Sequence, residues 1–452
     1  MTALPLPLPV PLPLPGPSSP DQSAVPYTDE PVALLQLDGS DPIEAASAVY
    51  REVRRGRRVV AVACGDPDAA GRLSRALDAI GVEASRPAPG EAVLGAGVTV
   101  VAGPEALPGR PRSRPARVLR VALAGCGVVG GGVLPRLLAD ARFEVVGVLV
   151  RDPAKARGTA LPADLTVSDP AALLAREPDI LVEAISDAST GLALLRAALT
   201  RGVDVVSANK QAVGADLPAL IDLAAAGEAR LLYSASVGGG APLIETVRRA
   251  RAHGAVVRIE AVLNGTCNFI LNRLAEGRPF DEALIAARDA GFAEADPSAD
   301  LTGLDAAAKL AILGHEALRG RLIVDGVARQ TLGRDGVLPA GRVRQLARLD
   351  VRTGEVGVAL RVVDGDPLFA DLEDEWNALR VTTGDGRIFT ARGRGAGRTP
   401  TAESVWADLT DLAELKALSP AGAGVGDPPD ASSTPRSHSS AFQERRLHDT
   451  EP

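Results

Sequence analysis

The chain has 452 residues, of which 46% are apolar, and its 57 acidic and 49 basic residues give a formal net charge of −8. That length allows two or three domains with sizeable cores. Only 3% of the residues are aromatic and there is no dense basic stripe, which argues against nucleic acid as a partner. The three cysteines, Cys64, Cys126 and Cys267, form no ligand spacing with the four histidines. We therefore expect a reduced, cytoplasmic protein without a transition metal.

The two ends of the chain differ in composition from the middle. Residues 1–30 begin with proline at nearly every second position, which removes amide donors and prevents a membrane-spanning helix. This segment also lacks the cationic start and apolar core of a signal peptide. We predict a polyproline-II tail there, and a proline-binding partner domain is the alternative. Residues 417–452 are rich in Pro, Gly, Ser and charge, which predicts a second disordered tail.

Residues 31–108 alternate short apolar runs with stretches of helical periodicity, which predicts a small α/β unit. Its first turn, Gln36-Leu37-Asp38-Gly39-Ser40, resembles the turn that holds phosphate in amino-acid kinases, but it lacks their lysine. The unit is also too short for a whole kinase, so it resembles a truncated structural or regulatory remnant of one. A stiff basic linker at 109–116 follows. We expect a chain without residues 1–115 to remain folded and active.

Residues 117–247 alternate buried strands with amphipathic helices, which predicts a Rossmann-type, doubly wound parallel sheet. The first predicted strand leads into a GxGxxG motif that opens a helix, formed by Gly125, Cys126, Gly127, Val128, Val129 and Gly130. Its glycines allow a tight turn and let pyrophosphate approach the helix N-terminus. Because the strand, the helix and the next strand are all present, the motif favours dinucleotide binding over a plain glycine turn.

The end of the second strand, predicted at 144–150, bears on the choice between NAD and NADP. An acidic residue there binds the ribose 2′-hydroxyl of NAD. Here the strand ends at Arg151, and a guanidinium suits the 2′-phosphate of NADP, with Lys155 and Arg157 within reach. Asp152 keeps NAD open as the alternative, because a one-residue error in the strand end would place a carboxylate at this position. We predict a preference for NADP with some use of NAD.

Asn209 and Lys210 follow the strand predicted at 203–207. They would lie at the carboxyl edge of the sheet, where open α/β folds bind ligands. A surface lysine after a strand is an equal alternative.

A second, α+β domain is predicted at 248–398, and it contains two polar segments. Asn264-Gly265-Thr266 follow an apolar strand, and their composition alone favours an Asn-Gly turn over a site for a carboxylate. A helix predicted at 304–318 carries Asp305 and Lys309 four residues apart on one face. Because their neighbours are apolar, a half-buried functional pair is favoured over solvated surface charges.

Five segments resemble, in order and spacing, the motifs of the homoserine dehydrogenase family over residues 117–415: SANK, YSASVGGGAP, LNGTCNFIL, AEADPSADLTGLDAAAKLAIL and GRGAGRTPTAESVWADL. The resemblance implies an NAD(P)-dependent oxidoreductase that interconverts aspartate 4-semialdehyde and homoserine in threonine, methionine and isoleucine biosynthesis. It also implies a homodimer built on the sheet of the second domain, and a closing helix at 399–416 that returns to the dinucleotide-binding domain.

The resemblance also implies roles for individual residues. Lys210 would lie beside the nicotinamide and the substrate, Lys309 would transfer the proton, and Asp305 would hydrogen-bond the reacting oxygen. Glu294 and Asp300 would hold the substrate's ammonium group. The backbone of Asn264, Gly265 and Thr266 would frame the site. Together with the glycine motif and the end of the second strand, these roles predict that the cofactor is bound by Gly125, Gly127, Val128, Val129, Gly130, Arg151, Asn209 and Lys210.

Two positions depart from the family pattern. Ser234 stands where members often carry a glutamate near a monovalent cation, Na⁺ or K⁺, which puts a backbone-carbonyl cation site at Val237, Gly239 and Ala241 in doubt. Phe292 stands where some members carry tyrosine. The sequence leaves three other functions as alternatives: a bifunctional kinase–dehydrogenase, a catalytically silent dinucleotide-binding regulator, and another Rossmann reductase of an amino aldehyde.

Overall fold

The computed structural model of the protein describes residues 32–38, 41–64, 68–85, 98–102, 117–155, 157–319, 327–334 and 336–418. The linker predicted at 109–116 and the two predicted tails, apart from residues 417 and 418, lie outside these ranges. No helix within them is long and apolar enough to cross a membrane.

The N-terminal unit is a small parallel sheet with strand order β1-β2-β4-β3. Helix α1 begins where the Asp41 carboxylate accepts hydrogen bonds from the amides of Ile43 and Glu44, as an N-cap does. Its elements are β1 (Val32–Asp38), α1 (Pro42–Arg54), β2 (Arg58–Cys64), α2 (Ala69–Ile80), β3 (Ala84–Ser85) and β4 (Val98–Ala102).

The dinucleotide-binding domain is built on a parallel sheet with strand order β10-β9-β8-β5-β6-β7, and helices pack on both of its faces. This confirms the predicted Rossmann-type, doubly wound fold. Its elements are β5 (Leu119–Ala124), α3 (Gly130–Ala139), β6 (Phe143–Leu149), β7 (Thr166–Val167), α4 (Pro170–Leu174), β8 (Ile180–Glu183), α5 (Ala188–Thr200), β9 (Asp204–Ser207), α6 (Lys210–Ala215), α7 (Leu217–Ala226) and β10 (Leu231–Leu232).

The second domain contains a sheet with order β12-β14-β13-β11-β15-β16, antiparallel except for the β12–β14 pair. Helices α8, α9 and α12 cover one face of this sheet. The elements are α8 (Leu243–His253), β11 (Val256–Val262), α9 (Gly265–Ala275), α10 (Phe280–Asp289), α11 (Ser298–Leu301), α12 (Leu304–Leu318), β12 (Ala328–Arg329), β13 (Val343–Asp350), β14 (Glu355–Val362), α13 (Pro367–Ala370), β15 (Trp376–Thr383) and β16 (Ile388–Arg394).

The closing helix α14 (Arg398–Leu418) follows the last strand of the second domain and packs on both the dinucleotide-binding domain and the N-terminal unit. Val405, Trp406 and Leu409 are buried with α3 and β5 in the core of the dinucleotide-binding domain. Ala407, on another side of α14, is buried in the core of the N-terminal unit. The helix therefore returns to the nucleotide domain and also carries the N-terminal unit.

The N-terminal unit is docked through a buried arginine rather than attached only by a linker. Arg54, at the end of α1, donates to Glu245 at 2.6 Å, to Ser234 at 2.9 Å and to Asp408. Only 5% of its side chain is exposed, and the carboxylate of Asp408 is fully buried. A shortened chain without Arg54 would leave buried carboxylates without their counter-charge, which is costly. These contacts argue against our expectation that residues 1–115 are dispensable.

Candidate active site

The glycine loop joins β5 to α3 at the carboxyl edge of the parallel sheet. Gly125 has φ +93°, a backbone conformation that favours glycine, and a Cβ there would lie 2.5 Å from the carbonyl oxygen of Ala184. A Cβ at Gly130 would lie 1.9 Å from the carbonyl oxygen of Gly125, so close packing requires this glycine as well. A Cβ at Gly127 would meet nothing within 4 Å, and Val128 is exposed. The loop is thus open at the position where pyrophosphate approaches a Rossmann helix.

Arg151 lies just beyond β6, at the carboxyl edge of the sheet, and its side chain is exposed. Strand β6 ends at Leu149, two residues before it, and the amide of Val150 still bonds to the carbonyl of Val167. The Asp152 carboxylate accepts a hydrogen bond from the amide of Ala154, at 2.9 Å. Asp152 therefore shapes its own loop, while Arg151 stays exposed beside the glycine loop's edge of the sheet.

Asn209 and Lys210 lie where β9 passes into α6. The Asn209 side chain caps α6 by accepting from the amide of Ala212 at 3.0 Å, and its Nδ2 donates to Glu183 at 3.2 Å. Lys210 is the first residue of α6, with 39% of its side chain exposed. The capped helix start thus orients Lys210 at the carboxyl edge of the sheet, where β9 pairs with β8, the neighbour of the glycine-loop strand β5.

Glu183 is a site residue that the sequence analysis missed. It is fully buried at the end of β8 and accepts hydrogen bonds from Ser207 Oγ at 2.7 Å, the Ile185 amide at 2.9 Å and Asn209. Burial raises the pKa of this carboxyl, and the three donors offset only part of the effect. The signal that would have found it is a lone acid inside an apolar strand, which needs partners when buried.

Asp305 and Lys309 lie on helix α12 and meet Lys210 from the other domain. The Asp305 carboxylate pairs with Lys309 Nζ at 2.9 Å through Oδ2 and with Lys210 Nζ through Oδ1. Burial alone would raise the pKa of Asp305, but Lys309 and Lys210 outweigh it and hold the pKa well below its usual range. Asp305 is therefore ionised throughout the ordinary pH range and bridges the two lysines.

Lys309 has a second acceptor. Its Nζ donates to the carbonyl oxygen of Leu263 at 2.7 Å, and only 11% of its side chain is exposed. Asn377, fully buried on β15, donates to the same carbonyl at 3.4 Å. The end of strand β11 thus holds Lys309 in place, and the sequence offered no signal for either Leu263 or Asn377.

Asn264 is a helix cap, so the predicted Asn-Gly turn is wrong. Its Oδ1 accepts a hydrogen bond from the amide of Cys267 at 2.8 Å. This bond caps the N-terminus of helix α9, which begins at Gly265. Capping leaves the amide nitrogen available, and Nδ2 donates to Asp305 at 2.8 Å and to Asp300 at 2.6 Å. The Asn264 side chain thus caps α9 and also bridges the carboxylates of Asp300 and Asp305.

Asp300 and Glu294 lie on the segment that precedes α12. Burial raises the pKa of Asp300, although the hydrogen bond from Asn264 lowers it in part. Thr266 Oγ1 donates to the carbonyl of Phe292 at 2.6 Å and so fixes this segment against α9. Glu294 is exposed two residues further on. The structure thus brings Asp300 into the cluster with Asn264 and Asp305, and places Glu294 outside its hydrogen-bond network.

The turn that contains Val237, Gly239 and Ala241 lies between α14 and the N-terminal unit, because a Cβ at Gly240 would lie 2.7 Å from Pro400 and 2.8 Å from the carbonyl oxygen of Ile80. Gly239 packs against the backbone of Gly395, and the Ala241 carbonyl accepts from the amide of Leu243 at 2.8 Å. Ser234, whose carbonyl accepts from the Val237 amide, bonds through its hydroxyl to Arg54 and Asp408. The guanidinium of Arg54 therefore supplies positive charge beside this turn.

The arrangement can bind a dinucleotide and hold a polar substrate against its reactive end. The glycine loop, Lys210 and Asn209 all lie at the carboxyl edge of one parallel sheet, and Lys309, Asp305, Asn264 and Asp300 face that edge from the second domain. Such a site has cations for a developing oxyanion and carboxylates for an ammonium group. Fold and site together define a dinucleotide-dependent oxidoreductase.

Comparison with known proteins identifies its family. The homoserine dehydrogenase domain profile matches residues 242–410, and the NAD-binding domain profile of homoserine dehydrogenase matches residues 125–234. A homoserine dehydrogenase from Synechocystis sp. is 33% identical over 320 residues, which is 65% of this chain and 73% of that protein. The chain belongs to the homoserine dehydrogenase family and is an oxidoreductase of that activity.

Solved structures agree in fold. The homoserine dehydrogenase from Thiobacillus denitrificans matches with a TM-score of 0.61 and 30% identity, over 66% of this chain and 74% of that one. A hyperthermophilic archaeal homoserine dehydrogenase, solved in complex with NADPH, matches with a TM-score of 0.57 and 25% identity, over 66% of this chain and 98% of that one.

Proposed function

We propose that the protein interconverts homoserine and aspartate 4-semialdehyde at the cluster formed by Lys210, Asp305 and Lys309. The observation that carries this proposal is the ionised Asp305 held between two lysines, one at the dinucleotide-binding edge and one on the second domain. In the oxidation of homoserine, the carbon that carries the hydroxyl loses a hydride and the hydroxyl loses a proton. A bound nicotinamide dinucleotide supplies the chemistry for the hydride, and the residues of this chain handle the proton.

The two lysines have different tasks in this proposal. Lys309 is nearly buried and is held by Asp305 and the Leu263 carbonyl, so it is placed to exchange a proton with the reacting oxygen. Lys210 is more exposed and lies at the edge of the sheet where the cofactor would bind. It therefore orients the substrate and stabilises negative charge on the same oxygen.

Asp305 has a narrower role than the family resemblance implied. As an ionised carboxylate it can only accept hydrogen bonds. It can accept one from the hydroxyl of homoserine, but an aldehyde oxygen needs a donor, which only the lysines provide among these three residues. We propose that Asp305 mainly positions Lys210 and Lys309.

Asp300 is the main substrate-binding residue in this proposal. Its carboxylate is half-buried beside Asn264 and faces the lysine cluster, so it suits the ammonium group of an amino acid. Glu294, exposed on the same segment, would join it only if substrate binding draws that segment inwards. Thr266 keeps α9 and the segment at Phe292 together, and Gly265 packs against the backbone of Glu375.

A spectrophotometric assay of the purified protein tests the activity. We expect reduction of aspartate 4-semialdehyde with NADPH and oxidation of homoserine with NADP⁺. The deaminated analogue of homoserine, which has no ammonium group for Asp300, should react with a much lower kcat/KM. Equal rates with both alcohols would contradict the proposed substrate, and no dehydrogenation of either would contradict the proposed function.

The residues present fit a dinucleotide with a 2′-phosphate. Gly125, Gly127, Val128, Val129 and Gly130 would hold the pyrophosphate, because the loop is open at Gly127 and followed by a helix N-terminus. Arg151 is exposed just beyond the second Rossmann strand, the position from which such folds recognise the adenosine ribose, whereas Asp152 is engaged in its own loop. NADPH is bound in the archaeal relative, which supports the same preference here. Steady-state kinetics with both cofactors and an Arg151→Ala variant test it, and an unchanged KM for NADP⁺ in that variant would remove Arg151 from cofactor recognition.

The turn at Val237, Gly239 and Ala241 fits a monovalent cation poorly. Arg54 already supplies a positive charge at Ser234, and the Ala241 carbonyl already accepts from a backbone amide. We expect turnover to be the same in Na⁺, K⁺ and choline salts at constant ionic strength. A rate that depends on Na⁺ or K⁺ would restore this turn as a cation site.

We also propose a homodimer formed through the outer face of the second domain's sheet. Helices α8, α9 and α12 cover the inner face, and among the described elements only α13 packs on part of the outer one. At its centre, Glu260 on β11 lies between Arg348 on β13 and Arg380 on β15. Such alternating charges are complementary to a second copy of the same face.

A further inference from the structure

Helix α3, which follows the glycine loop, contains Pro135. In a regular α-helix, the amide at this position would donate to the carbonyl of Gly131, four residues earlier, and proline has no such donor. The helix nevertheless runs from Gly130 to Ala139. The Gly131 carbonyl, directly behind the glycine loop, therefore needs donors from elsewhere.

Two side chains from distant segments supply those donors. Thr159 Oγ1, on the segment after β6, donates to the Gly131 carbonyl at 2.8 Å. Arg398, the first residue of α14, donates to the same oxygen through Nη2 at 3.2 Å. The first turn of α3, the segment at 157–159 and the start of the closing helix are thus held together at one carbonyl.

Arg398 adds charge as well as a hydrogen bond at this place. Its side chain is exposed and lies beside Gly131, Gly132 and Gly158, with Nη1 3.8 Å from where a Cβ of Gly158 would be. Burial raises the pKa of the Cys126 thiol in the glycine loop, and the positive charges of Arg157 and Arg398 lower it in part. Both guanidiniums therefore lie near the second residue of that loop.

Arg157 and Arg398 differ from most arginines of the protein in their charge partners. In the described ranges, neither Arg157 nor Arg398 forms an ion pair with a carboxylate, whereas most arginines elsewhere in the structure do. Arg157 donates to the Lys155 carbonyl at 2.7 Å and so folds back on its own loop. A local excess of positive charge next to the adenosine side of a Rossmann site is suited to a phosphate.

We propose that Arg398, on the closing helix, recognises the 2′-phosphate of NADP. This inference rests on the NADP preference proposed above. The segment after the second Rossmann strand surrounds the adenosine ribose, and Arg398 lies against that segment at Gly158. A phosphate there meets a guanidinium that can form charge-assisted bonds through its remaining N–H groups. Because one N–H is already anchored on Gly131, little side-chain freedom is lost on binding.

Cofactor binding to the full-length protein tests the proposal. Fluorescence titrations would give the Kd of NADPH, of NADH and of 2′,5′-ADP for the wild type, R398A and R398K. Arg201, exposed at the end of α5 and without an ion pair in the described part of the chain, is the matched control, since it precedes β9 at the opposite edge of the sheet.

We expect R398A to weaken NADPH and 2′,5′-ADP by about tenfold, the usual effect of losing a charged hydrogen bond, and to leave NADH within about twofold. R398K should keep part of the affinity, and R201A should match the wild type. Equal weakening of NADPH and NADH, or an unchanged NADPH affinity, would overturn the proposal. Homoserine turnover by the wild type is measured separately, so a failure of this inference and a failure of the proposed function are distinguishable.

Discussion

Lys309 has two fixed acceptors on different elements, Asp305 on its own helix and the Leu263 carbonyl at the end of β11. A flexible side chain is thereby held at one position beside the sheet edge, which is what proton transfer at a defined atom requires. Lys210 has one acceptor in this cluster and is more exposed. The two lysines should therefore respond differently to substitution.

The Lys309→Ala variant should lose about 10²–10⁴ in kcat, because it removes the proton-transferring amine. Its affinity for NADPH should be unchanged, since the glycine loop is not touched. Lys309→Arg is the informative control, because it keeps a positive charge beside Asp305 but its guanidinium does not release a proton at any accessible pH. Recovery of turnover in the arginine variant would mean that charge alone is needed at this position.

The Lys210→Ala variant should also be severely impaired, but with a larger share of the loss in KM for homoserine, because orientation is its main task. Steady-state kinetics with saturating cofactor separate kcat from KM. A loss confined to kcat would assign proton transfer to Lys210 instead.

The raised pKa of Asp300 predicts how kcat/KM for homoserine depends on pH. Its pKa is raised by burial above the ordinary value of 3.8, and only the ionised carboxylate can hold an ammonium group. The kcat/KM for homoserine should therefore begin to fall, on the acid side, at a higher pH than an ordinary aspartate would cause. By linkage, the neutral form of this group is the one that the fold favours, so its contribution to stability declines as pH rises through the shifted pKa.

An Asp300→Asn variant measures this effect. It should show a lower kcat/KM at neutral pH. It should also lose the fall in kcat/KM on the acid side (the acid limb of the pH profile), while the NADPH affinity stays the same. An acid limb that persists in the variant would assign the ionisation to another group.

At the scale of elements, helix α1 carries the group that ties the N-terminal unit to the dehydrogenase. The guanidinium of Arg54 lies among Ser234, Glu245 and Asp408, from three different segments. Burial lowers the pKa of this guanidinium, but Glu245 and Asp408 more than offset the effect, so Arg54 is charged at every accessible pH. Removing it leaves buried acids without a partner.

We expect Arg54→Ala to lower the free energy of unfolding by about 3–5 kcal/mol, the usual cost of breaking a buried ion pair from one side. Arg57→Ala is the matched control, because Arg57 pairs with Glu52 at the surface and such pairs contribute about 0–1 kcal/mol. Denaturant unfolding of both variants measures the difference. Equal stability of the two variants would restore the N-terminal unit as a dispensable appendage.

Removal of residues 1–115 is the companion experiment, and we expect a poorly folded or inactive product. A soluble, fully active truncation would show that the acids around Arg54 can be solvated or protonated at little cost.

At the scale of the whole molecule, the proposed dimer depends on the outer face of the second sheet. Ala359 on β14 points to that face, because its neighbours Val358 and Leu360 are buried on the inner side. Ala359→Arg should convert the dimer to a monomer by placing a bulky charge in the interface. Val337→Arg, at a site that is 93% exposed, is the control. Sedimentation equilibrium gives the mass of each, and a monomeric wild type would contradict the dimer.

What the sequence determined by itself is local. The Rossmann pattern, the glycine loop and helix α12 follow from the spacing of apolar residues and glycines, and they lie within a few residues of the predicted bounds. The Asp305–Lys309 pair follows from helical geometry, which brings residues four apart together.

The tertiary structure decided every contact between groups distant in the chain. Lys210 meets Asp305 across the two domains, Asn264 caps a helix while bridging two acids, and Arg54 and Arg398 bring charge from the two ends of the fold. The periodicity of a segment reports which of its own faces is buried, but not which other segment covers that face. The partner of a buried charge is set by packing, and so it could not be predicted from the sequence of either segment alone.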